Sequence, residues 1–134
     1  MRRESFVLPV LLIAIAAPLL VAGTTTPETY RFAAGEEIRL RVEEGVISLR
    51  SIRFTGSESK LQASVLAYCD EGKDQLVNLE ITLLDADGRT VGVLSGKGKV
   101  EEEEKAKIKL DAPVPTDRQA DIASFQVAVA SRPE

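Results

Sequence analysis

From Glu37 onward, apolar and polar residues take turns along the chain. Ile38, Leu40 and Val42 alternate with Glu37, Arg39, Arg41 and Glu43. Leu61, Ala63, Val65 and Ala67 repeat the pattern, as do Val77, Leu79, Ile81 and Leu83. Ala106, Ile108 and Leu110 follow it among lysines, and Phe125, Val127 and Val129 follow it near the end. Successive side chains of a strand point to opposite faces, so a period of two predicts half-buried antiparallel strands. No segment after Thr24 carries a convincing apolar stripe of helical period. In VISLRSIRF (46–54) the parity changes: Ile47 and Leu49 share one face, while Ile52 and Phe54 fall on the other. A bulge near Arg50 and Ser51, or a break into two short strands, would bring both pairs to the core.

Turn chemistry separates these runs. Glu44-Gly45, Thr55-Gly56-Ser57, Asp70-Glu71-Gly72 and Asp87-Gly88 each offer a residue that accepts positive φ. Asp87-Gly88, between ITLLD and RTVGVL, is the strongest hairpin signal. Residues 112–117, APVPTD, form a longer connection into the last strand. About seven or eight short strands punctuated in this way predict an all-β fold of two packed sheets.

The first segment reads differently. Arg2 and Arg3 precede an uncharged stretch at 6–22, FVLPVLLIAIAAPLLVA, and Gly23-Thr24-Thr25-Thr26-Pro27 then breaks it. A basic start, an apolar run and a small-residue exit are the parts of a secretory signal, here with a cut before Thr24. The alternative is a retained N-terminal membrane anchor. Both place the rest of the chain outside the cytosol, in the periplasm or beyond the cell. The expected organisation is a leader at 1–23 and one β-sandwich domain at 24–134.

Composition sharpens this picture. The 134 residues are 44% hydrophobic and 28% charged, with a formal charge of −4, which suits one folded domain. His and Trp are absent. That removes His-based catalysis and His-ligated metals, and it leaves few aromatic platforms for carbohydrate or single-stranded nucleic acid. The negative charge argues against nucleic acid generally.

The stretch VNLEITLLDADGRTVGVL, with a charged hairpin and a late SFQVAVA strand, resembles small exported immunoglobulin-like or fibronectin-III-like modules of bacteria. It looks most like the FxLYD type, through Leu83, Leu84, Asp85, Asp87 and Gly88. Such modules usually carry an Asn-containing turn upstream, where this chain has Tyr68-Cys69-Asp70-Glu71-Gly72. The resemblance implies an immunoglobulin-like antiparallel β-sandwich and attaches little function to it.

Several groups are candidates for chemistry. Asp85 and Asp87 begin like a calcium loop, but Arg89 and a resuming strand follow, so capping of the turn is the competing role. Glu101–Glu104 is the densest acidic run: either a solvated hairpin tip, a docking site for a basic partner, or a weak cation site. Lys105, Lys107 and Lys109 face one way, as a guarded sheet edge or a site for an anionic polymer. Arg39, Arg41, Arg50 and Arg53 lie on neighbouring strands among Glu36, Glu37, Glu43 and Glu44, and cross-strand ion pairing is the simpler expectation than a basic patch. Cys69, the sole cysteine, has no base to activate it, and its acidic neighbours suppress thiolate formation. Phe32, Phe54 and Phe125 read as core, leaving Tyr30 and Tyr68 as aromatic candidates for a contact surface.

The function expected from these residues is non-catalytic. There is no phosphate loop and no nucleophile elbow, and the carboxylates fall at turns or outward positions. The expectation is an exported module for protein–protein interaction or envelope assembly, with no cofactor. Its partner is another protein or a second copy, and any membrane contact runs only through 1–23. Leu66, Tyr68 and Leu84, on outward positions, are the candidate contact residues. The alternatives are a small-ligand or calcium-binding envelope domain and a membrane-tethered spacer.

Overall fold

The computed structural model describes residues 27–70 and 72–134. The leader, its cut before Thr24 and the anchor alternative lie outside the described residues. The strands are β1 (Thr29–Arg31), β2 (Glu37–Glu44), β3 (Ile47–Gly56), β4 (Leu61–Cys69), β5 (Gln75–Leu84), β6 (Thr90–Val100), β7 (Lys105–Ala112) and β8 (Ser124–Pro133), with one helical turn, α1 (Thr116–Gln119), before β8. The fold is all-β, as the alternation predicts.

Among the described residues the strands form one eight-stranded sheet in the order β1-β8-β5-β6-β7-β4-β3-β2, and neighbouring strands run antiparallel throughout it. The sequence predicts two packed sheets; the strands instead make a single sheet that curls into a half-barrel. Its two halves, β1-β8-β5-β6 and β7-β4-β3-β2, are continuous through a single register pair, Ser95 with Asp111. At this corner β6 turns Gly96 and Gly98 inward, toward Leu110 and Ile108 of β7. The far edges also approach. The Arg41 backbone N–H donates to the Tyr30 hydroxyl at 3.0 Å, and the Ser131 hydroxyl reaches the Glu44 carbonyl at 3.5 Å.

Sequence dictates the core directly. The inward positions of β4 (Leu61, Ala63, Val65, Ala67) and of β5 (Val77, Leu79, Ile81, Leu83) are all buried. An aromatic chain ties the halves together: Phe32 to Phe54 at 4.8 Å between centroids, Phe54 edge-on to Phe125 at 4.9 Å, and Phe125 stacked on Tyr30 at 5.4 Å. Between the two readings of 46–54 the structure selects the bulge. β3 is one strand, its register with β4 shifts between Leu49 and Ser51, and Ile47, Leu49, Ile52 and Phe54 are all buried. Arg50 is the inserted residue, and the β2–β3 ladder is irregular at the same level, between Arg39 and Val42.

The connection at 112–117 carries more structure than its Pro-rich sequence suggests. After it, the Gln119 amide donates to the carbonyls of Val114, Ser57 and Lys60 at 2.7–3.1 Å, which clamps α1 to the β3–β4 hairpin. At the other end of the molecule the acidic tip is held in place. Glu102 accepts from the Gly72 N–H, and the Glu103 N–H donates to the Cys69 carbonyl. Among the described residues, no helix is long and apolar enough to cross a membrane.

Candidate functional site

The outer face of β2, β3, β4 and β7 is built row by row from the strand register. One row runs Glu37, Arg53, Ser64, Lys109; the next runs Arg39, Ser51, Leu66, Lys107; a third runs Glu43, Ser48, Tyr68, Lys105. Arg41 and Arg50 enter between the second and third rows, where the ladders are irregular. Neighbouring strands lie about 4.8 Å apart, so β7 and β3 flank β4 at roughly 9.6 Å. The floor along β4 is Ser64, Leu66 and Tyr68, all half-buried, and exposed cations rise on both sides. Lys105, Lys107 and Lys109 make one bank; Arg50 and Arg53, backed by Arg39 and Arg41, make the other.

The bulge hollows this face. An open concavity of about 980 Å³ is lined by Arg39, Arg41, Glu43, Ser48, Arg50 and Leu66, among others. Arg50 is partly pre-organised, with its guanidinium 4.7 Å from the centroid of the Tyr68 ring and its Nε donating to the Ser48 hydroxyl at 3.2 Å. Arg53 donates to the Gly35 carbonyl at 2.8 Å. A second open concavity, of about 410 Å³, continues past Arg53, Ser64 and Lys109 toward Gln62 and Asp111.

Two expectations need correction. Cross-strand ion pairing does not neutralise the arginines: among the described residues the ion pairs are Lys60–Asp111, Lys99 with Asp74 and Glu134, and Arg118–Asp121. None involves Arg39, Arg41, Arg50, Arg53, Lys105, Lys107 or Lys109. Glu37 and Glu43 stand at the corners of the grid, out of pairing distance, so a basic patch exists where ion pairing was expected. The lysine run also does not guard an edge, because β7 lies inside the sheet between β4 and β6.

The remaining candidates fall elsewhere. Leu84 does not join Leu66 and Tyr68. It lies at the end of β5 opposite Thr90 and Ser124, in the other half of the sheet. Asp85 serves its turn: its Oδ1 accepts the N–H groups of Asp87 and Arg89 at 2.9 Å, and the Arg89 N–H above all holds its carboxyl below the usual carboxylate range. Among the described residues, Asp85 and Asp87 belong to no acidic cluster able to hold a metal ion. Tyr30 is committed to Phe125 and to the Arg41 N–H, and burial pushes its hydroxyl pKa up.

Cys69 is fully buried, with Sγ directed at the carbonyls of Asp70 and Lys73 at 3.3 and 3.5 Å. Burial pushes its thiol pKa up, and the charges of Asp74, Glu102 and Asp70 push the same way. A thiol that is both hidden and protonated reacts only when the β4–β5 end opens. Modification by a disulfide reagent in native buffer should therefore run at least about 100-fold slower than in urea-unfolded chain. Comparable rates in both would mean that the thiol is accessible.

Fold and face together define an all-β module with a two-banked cationic surface. No protein-family model matches the chain, and no curated protein matches it. A solved structure of a DUF1425 family member from Shewanella sp. pv-4 is similar at 18% identity and a TM-score of 0.46, covering 72% of this chain and 95% of that one. A likeness this distant carries no statement about activity or partner.

Proposed function

We propose that this chain is an exported, non-catalytic module for protein–protein interaction or envelope assembly, which binds another protein through the outer face of β3, β4 and β7. The observation that carries the reading is a set of exposed cations that have no ion-pair partner among the described residues, on both sides of Leu66 and Tyr68, in a chain whose net charge is −4. Unneutralised like charges on one face repel one another, and an acidic partner relieves that repulsion while steering its own approach. Half-buried Leu66 and Tyr68 supply the apolar centre that such interfaces use. Export rests on the leader at 1–23. Neither immunoglobulin-like nor FxLYD kinship is needed for the reading.

The sheet face is favoured over strand addition at an edge. β1 has only three residues, and β2 is turned toward it, with the Arg41 N–H occupied by Tyr30. Photo-crosslinking in the host, with the reactive side chain placed at 66, 68 or 84 of the full-length protein, tests the assignment. Adducts to a second protein should form from 66 and 68 and not from 84. Equal yields from all three positions, or none from 66 and 68, would dismiss this face as the contact surface.

A further inference from the structure

The two banks restrict what the partner presents. Lys105, Lys107 and Lys109 recur every second residue of β7, a repeat of about 6.4–6.8 Å. The β3 backbone that carries Arg50 and Arg53 runs roughly 9.6 Å from β7, with Arg50 leaning over the Tyr68 ring and Arg53 bonded to the Gly35 carbonyl, and β4 presents Ser64, Leu66 and Tyr68 between the two strands. An extended chain has the same geometry in negative. Its side chains leave alternately to left and right, each row repeating every two residues. A helix sends its side chains around a cylinder, so fewer of its consecutive residues can reach the two banks.

We propose, resting on the reading above, that the partner docks as an extended run of about five or six consecutive acidic residues laid along β4, with alternate carboxylates meeting the lysines of β7 and the arginines of β3. The backbone of that segment lies over Leu66 and within reach of the Ser51 and Ser64 hydroxyls. Arg50, already held by Tyr68 and Ser48, loses little freedom when it pairs. The chain's own Glu101–Glu104 does not supply this shape. Those residues form a tight turn, closed by the Glu104 N–H on the Glu101 carbonyl with Glu103 at φ 60°, and Glu102 is occupied by Gly72. The occupant is therefore an acidic segment of a different protein rather than the tip of a second copy.

The test titrates full-length protein at low salt with three probes of equal charge. One is a peptide with six consecutive Asp. The second is a helical peptide whose six acids are spaced four residues apart. The third is short-chain polyphosphate. The consecutive-Asp peptide should bind at least about tenfold tighter than the helical one, weaken steeply as salt rises through the Debye range, and outcompete polyphosphate. Lys107→Glu and Arg53→Glu should each weaken it about tenfold or more. Lys97→Glu, on the outer face of the other sheet half, should change it less than about twofold. All three side chains are exposed, and unchanged melting curves verify that the variants fold.

Four results would each overturn the proposal: equal affinity for the two peptides; tighter binding of polyphosphate, which marks a polymer site; dependence on one bank only; or loss of the peptide site through self-association seen by light scattering. The two readings fail separately. Crosslinks from 66 and 68 to a partner with no acidic run leave the docking face standing and remove the extended segment. Absence of crosslinks removes the face itself.

Discussion

Phe54→Ala should lower the unfolding free energy by about 3–5 kcal/mol, the largest effect expected from truncating any single side chain. Phe54 is fully buried on β3, and its ring is the middle of the chain that runs from Phe32 through Phe125 to Tyr30. β3 belongs to one half of the sheet and β8, with Phe125, to the other. The two halves share one register pair along the β6–β7 border, so side-chain packing across the interior, together with the far-edge hydrogen bonds, holds the curl closed. Removing the ring takes away its transfer free energy, opens a cavity between the halves, and leaves Phe32 and Phe125 without their shared ring partner. Domains of this size have about 5–15 kcal/mol in total, so the variant should sit near the limit of folding at 37 °C. Urea denaturation measures it. A loss below about 1 kcal/mol would mean that the halves are held together by something other than this aromatic chain.

Most of the inner surface was legible in the sequence because a strand with one buried face writes its burial in alternate letters. Every inward position predicted for β4 and β5 is buried, and the parity break at 46–54 marked the bulge at Arg50. The missed parts share a different physical origin. β1 has three residues, too short to show a period, and its role comes from Tyr30 reaching Phe125 and Arg41. Whether eight strands make two sheets or one curled sheet depends on a single pairing at the β6–β7 corner, and alternation says which way a side chain faces, not which strand lies beside it. The GKGK stretch at 96–99 held a hint, since glycines on the inward positions of a strand mark close approach of another segment. The same limit governs the site. Arg39, Arg50 and Lys107 are each legible as outward cations, but only register shows that Arg39 and Lys107 share a row across Ser51 and Leu66, with Glu37 and Glu43 at the ends of the rows on either side. Parity alone groups Leu84 with Leu66 and Tyr68, and register separates them.

Gly96→Val should cost about 2–3 kcal/mol, and Gly96→Ala should cost more than Gly98→Ala, although Ala suits a strand interior better than Gly does. A Cβ at Gly96 would stand 2.8 Å from the Lys109 carbonyl oxygen and 2.8 Å from Leu110 Cγ. At Gly98 the nearest atom is Ile108 Cγ1 at 3.2 Å, a side chain that can turn aside. The Lys109 oxygen is backbone and belongs to the strand that β6 crosses, so relief at 96 requires β6 and β7 to part. Parting them opens the β6–β7 border between the sheet halves and shifts β7, with its lysine bank, relative to β6. Propensity therefore predicts a small gain at both glycines, while the corner predicts a loss that is larger at 96. The sign and the order of the two Ala variants, read from melting and urea curves, separate these accounts. If Gly96→Ala proved neutral or stabilising, the close approach at the corner could not be what forces β6 to carry glycine there, and the curl would need another cause.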